Sequence, residues 1–174
     1  MRPLHPDESG RVYMAGPVQH AEDPGGWREK LALAYKEFEW INPLNKYNTV
    51  EKVHVECMEM EPAAREMAQC GDVEVVRAEE IVRSDIEMIE ASDALLARLD
   101  GTATVGTPME VRIAYAELDI PVVVWRTNNE PAAWSWSHSD AVRTNRRDAI
   151  EALRSLLVGG EPEHDPSGMP EPGP

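Results

Sequence analysis

Three side chains in this sequence have the types and settings of a reaction centre: the carboxyl groups of Glu110 and Asp85 and the phenol of Tyr13. Glu110 closes the run Thr107-Pro108-Met109-Glu110. That run fits a helix-starting capping box, with Thr107 as N-cap and proline at the first helical position. It also follows closely on a buried strand, which puts the carboxylate at the ligand-binding edge of a sheet, where a helix N-terminus favours its ionised, nucleophilic form. Asp85 lies in a helical stretch. Residues set at about 100° intervals place it between Ile81, Met88 and Ile89, opposite Glu79, Glu80, Arg83, Glu87 and Glu90. A carboxylate on an apolar stripe is either hydrogen-bonded within the fold or turned into a polar pocket, because burying it unpaired is costly. Tyr13 sits in a strand, where it packs simply or uses its hydroxyl to orient a nearby carboxylate.

The turn after that strand, Ala15-Gly16-Pro17, combines a sharp chain reversal with a residue that lets a ligand approach the backbone. Trp134, Trp136 and His138 cluster in a loop where aromatics either stack on a base or plug the end of the core. The sequence has no Gly-x-x-x-x-Gly-Lys, no complete Gly-x-Gly-x-x-Gly and no His-Glu-x-x-His, so the usual phosphate-loop, dinucleotide and zinc routes have no support. His54, Cys57 and Cys70 lack a fourth partner at zinc spacing, and no metal site is expected.

These residues need elements to hold them. Arg11 to Ala15 reads as a short buried strand. Trp27, Leu31, Ala34, Tyr35 and Phe38 follow a helical period from Gly26, and Trp40-Ile41 reads as a second strand stopped by Pro43. Residues 45 to 75 are acidic and methionine-rich and are broken by Pro62, which suits a short helix or a flap. Ala78 to Ala91 reads as a helix, Ala94 to Leu99 as a buried strand, Asp100 to Gly106 as a loop and Thr107 to Glu117 as a helix. Val122 to Trp125 reads as a strand and Asn145 to Leu157 as an amphipathic helix. Alternating strands and helices predict an α/β three-layer sandwich, flavodoxin-like or Rossmann-like, with a mostly parallel sheet of four or five strands. Ligands then bind beyond the carboxyl ends of the strands, in the loops after Ala15, Ile41, Leu99 and Trp125.

A chain of 174 residues suits one core. The expected domain is 1–158, with residues 159–174 as a disordered acidic, proline-rich tail. The net charge of −15 disfavours polymeric nucleic acid and anionic membranes as partners. No apolar run approaches the roughly 18 residues of a membrane helix, and the first ten residues do not look like a signal peptide, so a cytoplasmic location is expected. The 32 acidic against 17 basic residues suit a salty cytosol, and a halophilic source is expected.

Three separated segments resemble the nucleoside 2-deoxyribosyltransferase family and its relatives that hydrolyse nucleotide N-glycosidic bonds. They are Val12-Tyr13-Met14-Ala15-Gly16-Pro17, then Ile81 to Ile86 running into Ala91 to Leu96, and Gly106-Thr107-Pro108-Met109-Glu110 continuing through Ala114-Tyr115-Ala116 to Ile120-Pro121-Val122. The resemblance spans roughly residues 11 to 125. It implies a flavodoxin-like sheet in which Glu110 is the nucleophile, Asp85 the acid that handles the departing base, and Tyr13 the hydroxyl that orients the carboxylate. Ala15, Gly16, Pro17, Thr104, Gly106, Thr107 and His138 would line the substrate. Attack on the anomeric carbon would give a covalent glycosyl-enzyme, as in retaining glycosidases, with no cofactor required. The implied partners are a nucleoside or nucleoside monophosphate and an acceptor nucleobase. Family members form dimers or larger assemblies in which a neighbour's loop completes the pocket, so a homo-oligomer is expected, with the Trp134 to His138 loop suited to that role.

The transferases carry an acidic residue six positions before the nucleophile, where this sequence has Thr104, and the hydrolases usually have serine there. Thr104 and Gly106 therefore look closer to the branch that takes a 5′-phosphate, since a hydroxyl and loop amides can bind phosphate oxygens. The loop from Val18 to Asp23 lacks the arginine expected for a phosphate, which keeps a nucleoside open as substrate. The alternative function is a noncatalytic module that senses a nucleotide on the same fold.

Overall fold

The computed structural model describes residues 9–18, 21–47, 53–56, 74–128 and 136–160. The elements in chain order are β1 (Arg11–Ala15), α1 (Gly26–Ala34), β2 (Glu39–Ile41), a 3₁₀ turn (Pro43–Tyr47), β3 (Val53–Glu56) and β4 (Glu74–Arg77). There follow α2 (Ala78–Glu90), β5 (Ala94–Leu99), α3 (Gly106–Arg112), a wider π turn (Ile113–Glu117), β6 (Val122–Arg126), β7 (Ala141–Arg143) and α4 (Arg146–Leu157). Five strands form one sheet in the order β2-β1-β5-β6-β7, and every neighbouring pair is parallel. β3 and β4 pair in parallel as a separate two-stranded sheet.

A parallel sheet needs crossovers, and helices supply them on both faces. α1 and α4 cover one face, where Trp27, Leu31, Ala149, Ile150 and Leu153 meet Val12, Met14, Leu96 and Val123. α2 and α3 cover the other, where Ile89 and Val111, with Ala114 just beyond them, meet Tyr13, Ala15, Leu95, Ala97, Val122 and Val124. The central strands are therefore apolar on both sides, and burying each large aliphatic side chain contributes about 1.5–3 kcal/mol. The result is the three-layer α/β sandwich that the alternation of elements predicts.

Several details differ from the sequence-based expectations. The helix expected over 107–117 starts at Gly106 and widens at Ile113, where the amide of Leu118 reaches back to the Ile113 carbonyl at 3.0 Å. β7 was not anticipated, because Ala-Val-Arg is too short to show a period of two. Gly159 and Gly160, expected to open a disordered tail, instead cap α4, donating to Leu156 and Ser155 at 3.0 and 2.8 Å. Gly159 does so with φ 77°, a conformation open to glycine at a helix C-terminus. The rest of the tail, Trp134, Pro62, Cys57 and Cys70 lie outside the described residues. Among the described residues, no helix is long and apolar enough to cross a membrane.

Candidate active site

The strand order places a crevice. From β1 the chain moves outward to β2, then returns to the other side of β1 to make β5, so the connections leaving β1 and β5 diverge to opposite faces. Such switch points open a cleft at the carboxyl ends of the strands. The turn Ala15-Gly16-Pro17 leaves β1 there, and residues 100–105 leave β5 there.

Tyr13 and Glu110 meet beside this cleft. The Tyr13 hydroxyl donates to Glu110 Oε1 at 2.9 Å. Tyr13 points into the α3 side of the sheet and is fully buried, while Glu110 remains half-buried. Burial is the main force that raises the Tyr13 pKa, and the charges of Glu110 and Asp85 raise it further. The phenol therefore stays protonated and serves as a donor to the carboxylate. Asp85 belongs to the same electrostatic neighbourhood, since its charge is felt at the buried phenol. On α2 it is half-buried beside a fully buried Ile89, with Glu79, Glu80, Arg83, Glu87 and Glu90 exposed, as the helical spacing requires.

The capping box expected at Thr107 does not form. α3 begins one residue earlier, Val105 occupies the N-cap position in a helical conformation, and no side chain caps it. Thr107 is instead buried, with its hydroxyl 3.4 Å from that of Thr104. A box needs an extended N-cap and a Glu free to fold back. Here the Glu110 carboxylate is drawn to a phenol on β1, and a contact across the fold replaces a local one. Ala15, Gly16 and Pro17 are buried, Thr104 is half-buried, and Gly106 is exposed with open space above it.

His138 lies elsewhere. Its ring packs edge-on against Tyr115 at 6.0 Å, and Ser137 shares a hydrogen bond with its Nδ1 at 2.8 Å. It precedes β7, which runs parallel to β6, and the nearby Asp140 accepts from the amide at the start of β6 at 2.8 Å. That is the amino edge of the sheet, away from the turns that leave β1 and β5.

Arg28 was missed. It is 1 % exposed and donates from Nε to Met14 O at 3.2 Å, from Nη2 to Gly16 O at 3.0 Å and from Nη1 to Pro24 O. Its guanidinium lies over the Trp27 ring at 4.5 Å. The signal was available, because Arg28 stands three residues before Leu31 on the apolar face of α1, the kind of intrusion that singled out Asp85. Among the described residues, no cluster of His, Cys, Asp or Glu could hold a metal ion.

The chain is similar in fold to the 2-deoxyribosyltransferase of the psychrotolerant bacterium Bacillus psychrosaccharolyticus, with 15 % identity over 88 % of this chain and 99 % of that one and a TM-score of 0.56. It is equally similar to a conserved protein of Enterococcus faecalis V583, with 19 % identity over 86 % of this chain and 100 % of that one and a TM-score of 0.56. No curated protein matches it. Residues 12–151, which carry β1, α2, α3 and the Tyr13–Glu110 contact, match the nucleoside 2-deoxyribosyltransferase family, and the chain belongs to that family.

Proposed function

We propose that the protein cleaves or transfers at the N-glycosidic bond of a nucleoside or nucleoside 5′-monophosphate through a covalent intermediate on Glu110. The observation that carries this reading is the hydrogen bond from the Tyr13 hydroxyl to Glu110 Oε1 at 2.9 Å, at the mouth of the switch-point cleft. The phenol orients the carboxylate, and the carboxylate attacks the anomeric carbon. As the carbon–oxygen bond forms, the bond to the base breaks, and Asp85 delivers a proton to the leaving nitrogen. A free base or water then attacks the same carbon, Glu110 departs as carboxylate, and Asp85 takes back a proton.

In this cycle Glu110 is the nucleophile and Asp85 carries the proton to and from the base. Thr104, which stands where the transferases carry an acid, favours water or a phosphate-bearing substrate, and its hydroxyl on the loop after β5 lies 3.4 Å from that of Thr107 in the first turn of α3. A homo-oligomer in which the Trp134 to His138 loop of a neighbouring copy completes the pocket belongs to the same proposal.

Purified protein incubated with deoxynucleosides and their monophosphates, with and without a free base, tests the reading by chromatography. Base exchange that is lost in Glu110→Ala is the transferase outcome. Release without exchange is the hydrolase outcome. Ligand binding with no turnover by the unaltered protein would overturn the enzyme reading in favour of a sensing module.

A further inference from the structure

The sheet edge that holds the Tyr13–Glu110 pair is built on a buried cation. Arg28 arises from the first turn of α1, on the opposite face of the sheet from Glu110. Its guanidinium reaches over the end of β1, and its three hydrogen bonds go to the carbonyls of Met14, Pro24 and Gly16. Met14 and Gly16 flank Ala15, so one planar group fixes two peptide units of the turn that walls the cleft. The fit is close. A Cβ at Gly16 would lie 2.8 Å from Trp27 Cζ2 and 3.5 Å from Arg28 Nη2.

We propose that Arg28 is a positioning residue for the glycosyl-transfer site: it clamps the turn after β1 and holds a positive charge at the end of the strand that carries Tyr13, while spending its hydrogen bonds on backbone carbonyls. This inference rests on the N-glycosidic reading of the site. A buried guanidinium is a costly way to brace a turn, since neutral donors can also satisfy carbonyls. The cost is visible in the Arg28 pKa, which burial lowers to about 10, with the charge of Glu110 acting in the opposite sense. The cation and the carboxylate therefore sense one another. The guanidinium gives its three hydrogen bonds to carbonyls and acts on the carboxylate through its charge.

Among the described residues, the charged groups that act on Tyr13 or Arg28 include Glu110 on α3, Asp85 on α2 and Arg98 on β5. Arg28→Lys keeps the charge and loses the planar fork. Arg28→Gln keeps a donor for the turn and loses the charge. The pH dependence of kcat/KM for base release separates the two functions, because its acid limb reports the carboxylate that must be ionised in the free enzyme.

The expected result for Arg28→Gln is an acid limb moved to higher pH by about one unit or more, with kcat lowered about 10- to 100-fold. Arg28→Lys should keep the acid limb of the unaltered protein and lose activity mainly through KM. Equal losses in both variants with an unmoved acid limb would overturn the inference and leave Arg28 as a brace alone. If Arg28→Gln fails to fold by circular dichroism, replacement of Arg28 by citrulline, which keeps the planar fork and loses the charge, decides: a raised limb supports the inference and an unmoved one overturns it. Absence of turnover in the unaltered protein would defeat the reading of the site itself, an outcome distinct from either.

Discussion

The hydroxyl of Tyr13 donates to Glu110 Oε1 at 2.9 Å across 97 residues of chain, joining the first strand of the sheet to the helix that follows its central strand. A hydrogen bond from a buried phenol to a carboxylate is charge-assisted, and removing it costs about 1.5–3 kcal/mol. Tyr13→Phe should keep the ring that fills the core and lower kcat about 10- to 100-fold, measured as base release or exchange. Activity equal to that of the unaltered protein would remove Tyr13 from the mechanism.

The same residue makes stability fall in alkali. Tyr13 titrates well above the ordinary phenol value of about 10 in the folded protein, because burial and the nearby carboxylates oppose the anion. The unfolded chain loses this proton above about pH 10 while the folded one keeps it, so the contribution is intact below that pH and is lost as pH rises. The melting temperature of the unaltered protein should decline above pH 10 more steeply than that of Tyr13→Phe.

Asp85→Asn should separate leaving groups. If Asp85 protonates the departing base, the variant loses activity on ordinary nucleosides by about 100-fold or more but is nearly unaffected on a deoxyriboside whose leaving group departs as a stable anion. Parallel kinetics on the two substrates check this, and equal losses on both would assign Asp85 to binding or packing.

Gly16→Ala should destabilise the fold and slow turnover together. The added methyl would sit 2.8 Å from the buried Trp27 ring and 3.4 Å from the Arg98 carbonyl, so the turn must shift. Overpacking of this kind costs about 1–3 kcal/mol. Chemical denaturation measures the loss, and a midpoint matching the unaltered protein would show that the turn yields freely.

With a net charge of −15, self-repulsion should make stability rise with salt. The melting temperature is expected to climb as potassium chloride goes from about 0.1 M, where the screening length is about 10 Å, to above 1 M, where it is about 3 Å. A flat response would count against adaptation to a salty cytosol.

The layers of this protein were legible in its residues. Strands such as Val12 to Ala15 and Ala94 to Ala97 are apolar on successive positions because both faces are covered, and that pattern survives in a single sequence. Asp85 was legible for the same reason, since a helical period reveals any polar side chain that breaks an apolar stripe. The resemblance to the family rested on short runs in β1, from α2 into β5, and from α3 into β6.

What the tertiary structure decided is which groups meet. The local pattern at Thr107 argued for a capping box, but Glu110 bonds instead to a phenol far away in sequence, because a contact across the sheet competes with a cap worth only about 1 kcal/mol. His138 took its place against the Tyr115 ring because a three-residue parallel strand, too short to carry a period, follows it. Arg28 acquired its place only when the carbonyls of Met14, Gly16 and Pro24 converged on it. Sequence by itself determines periodicity, and therefore faces and layers. Convergence of distant residues on one edge depends on strand order and crossover direction, which local propensity does not encode.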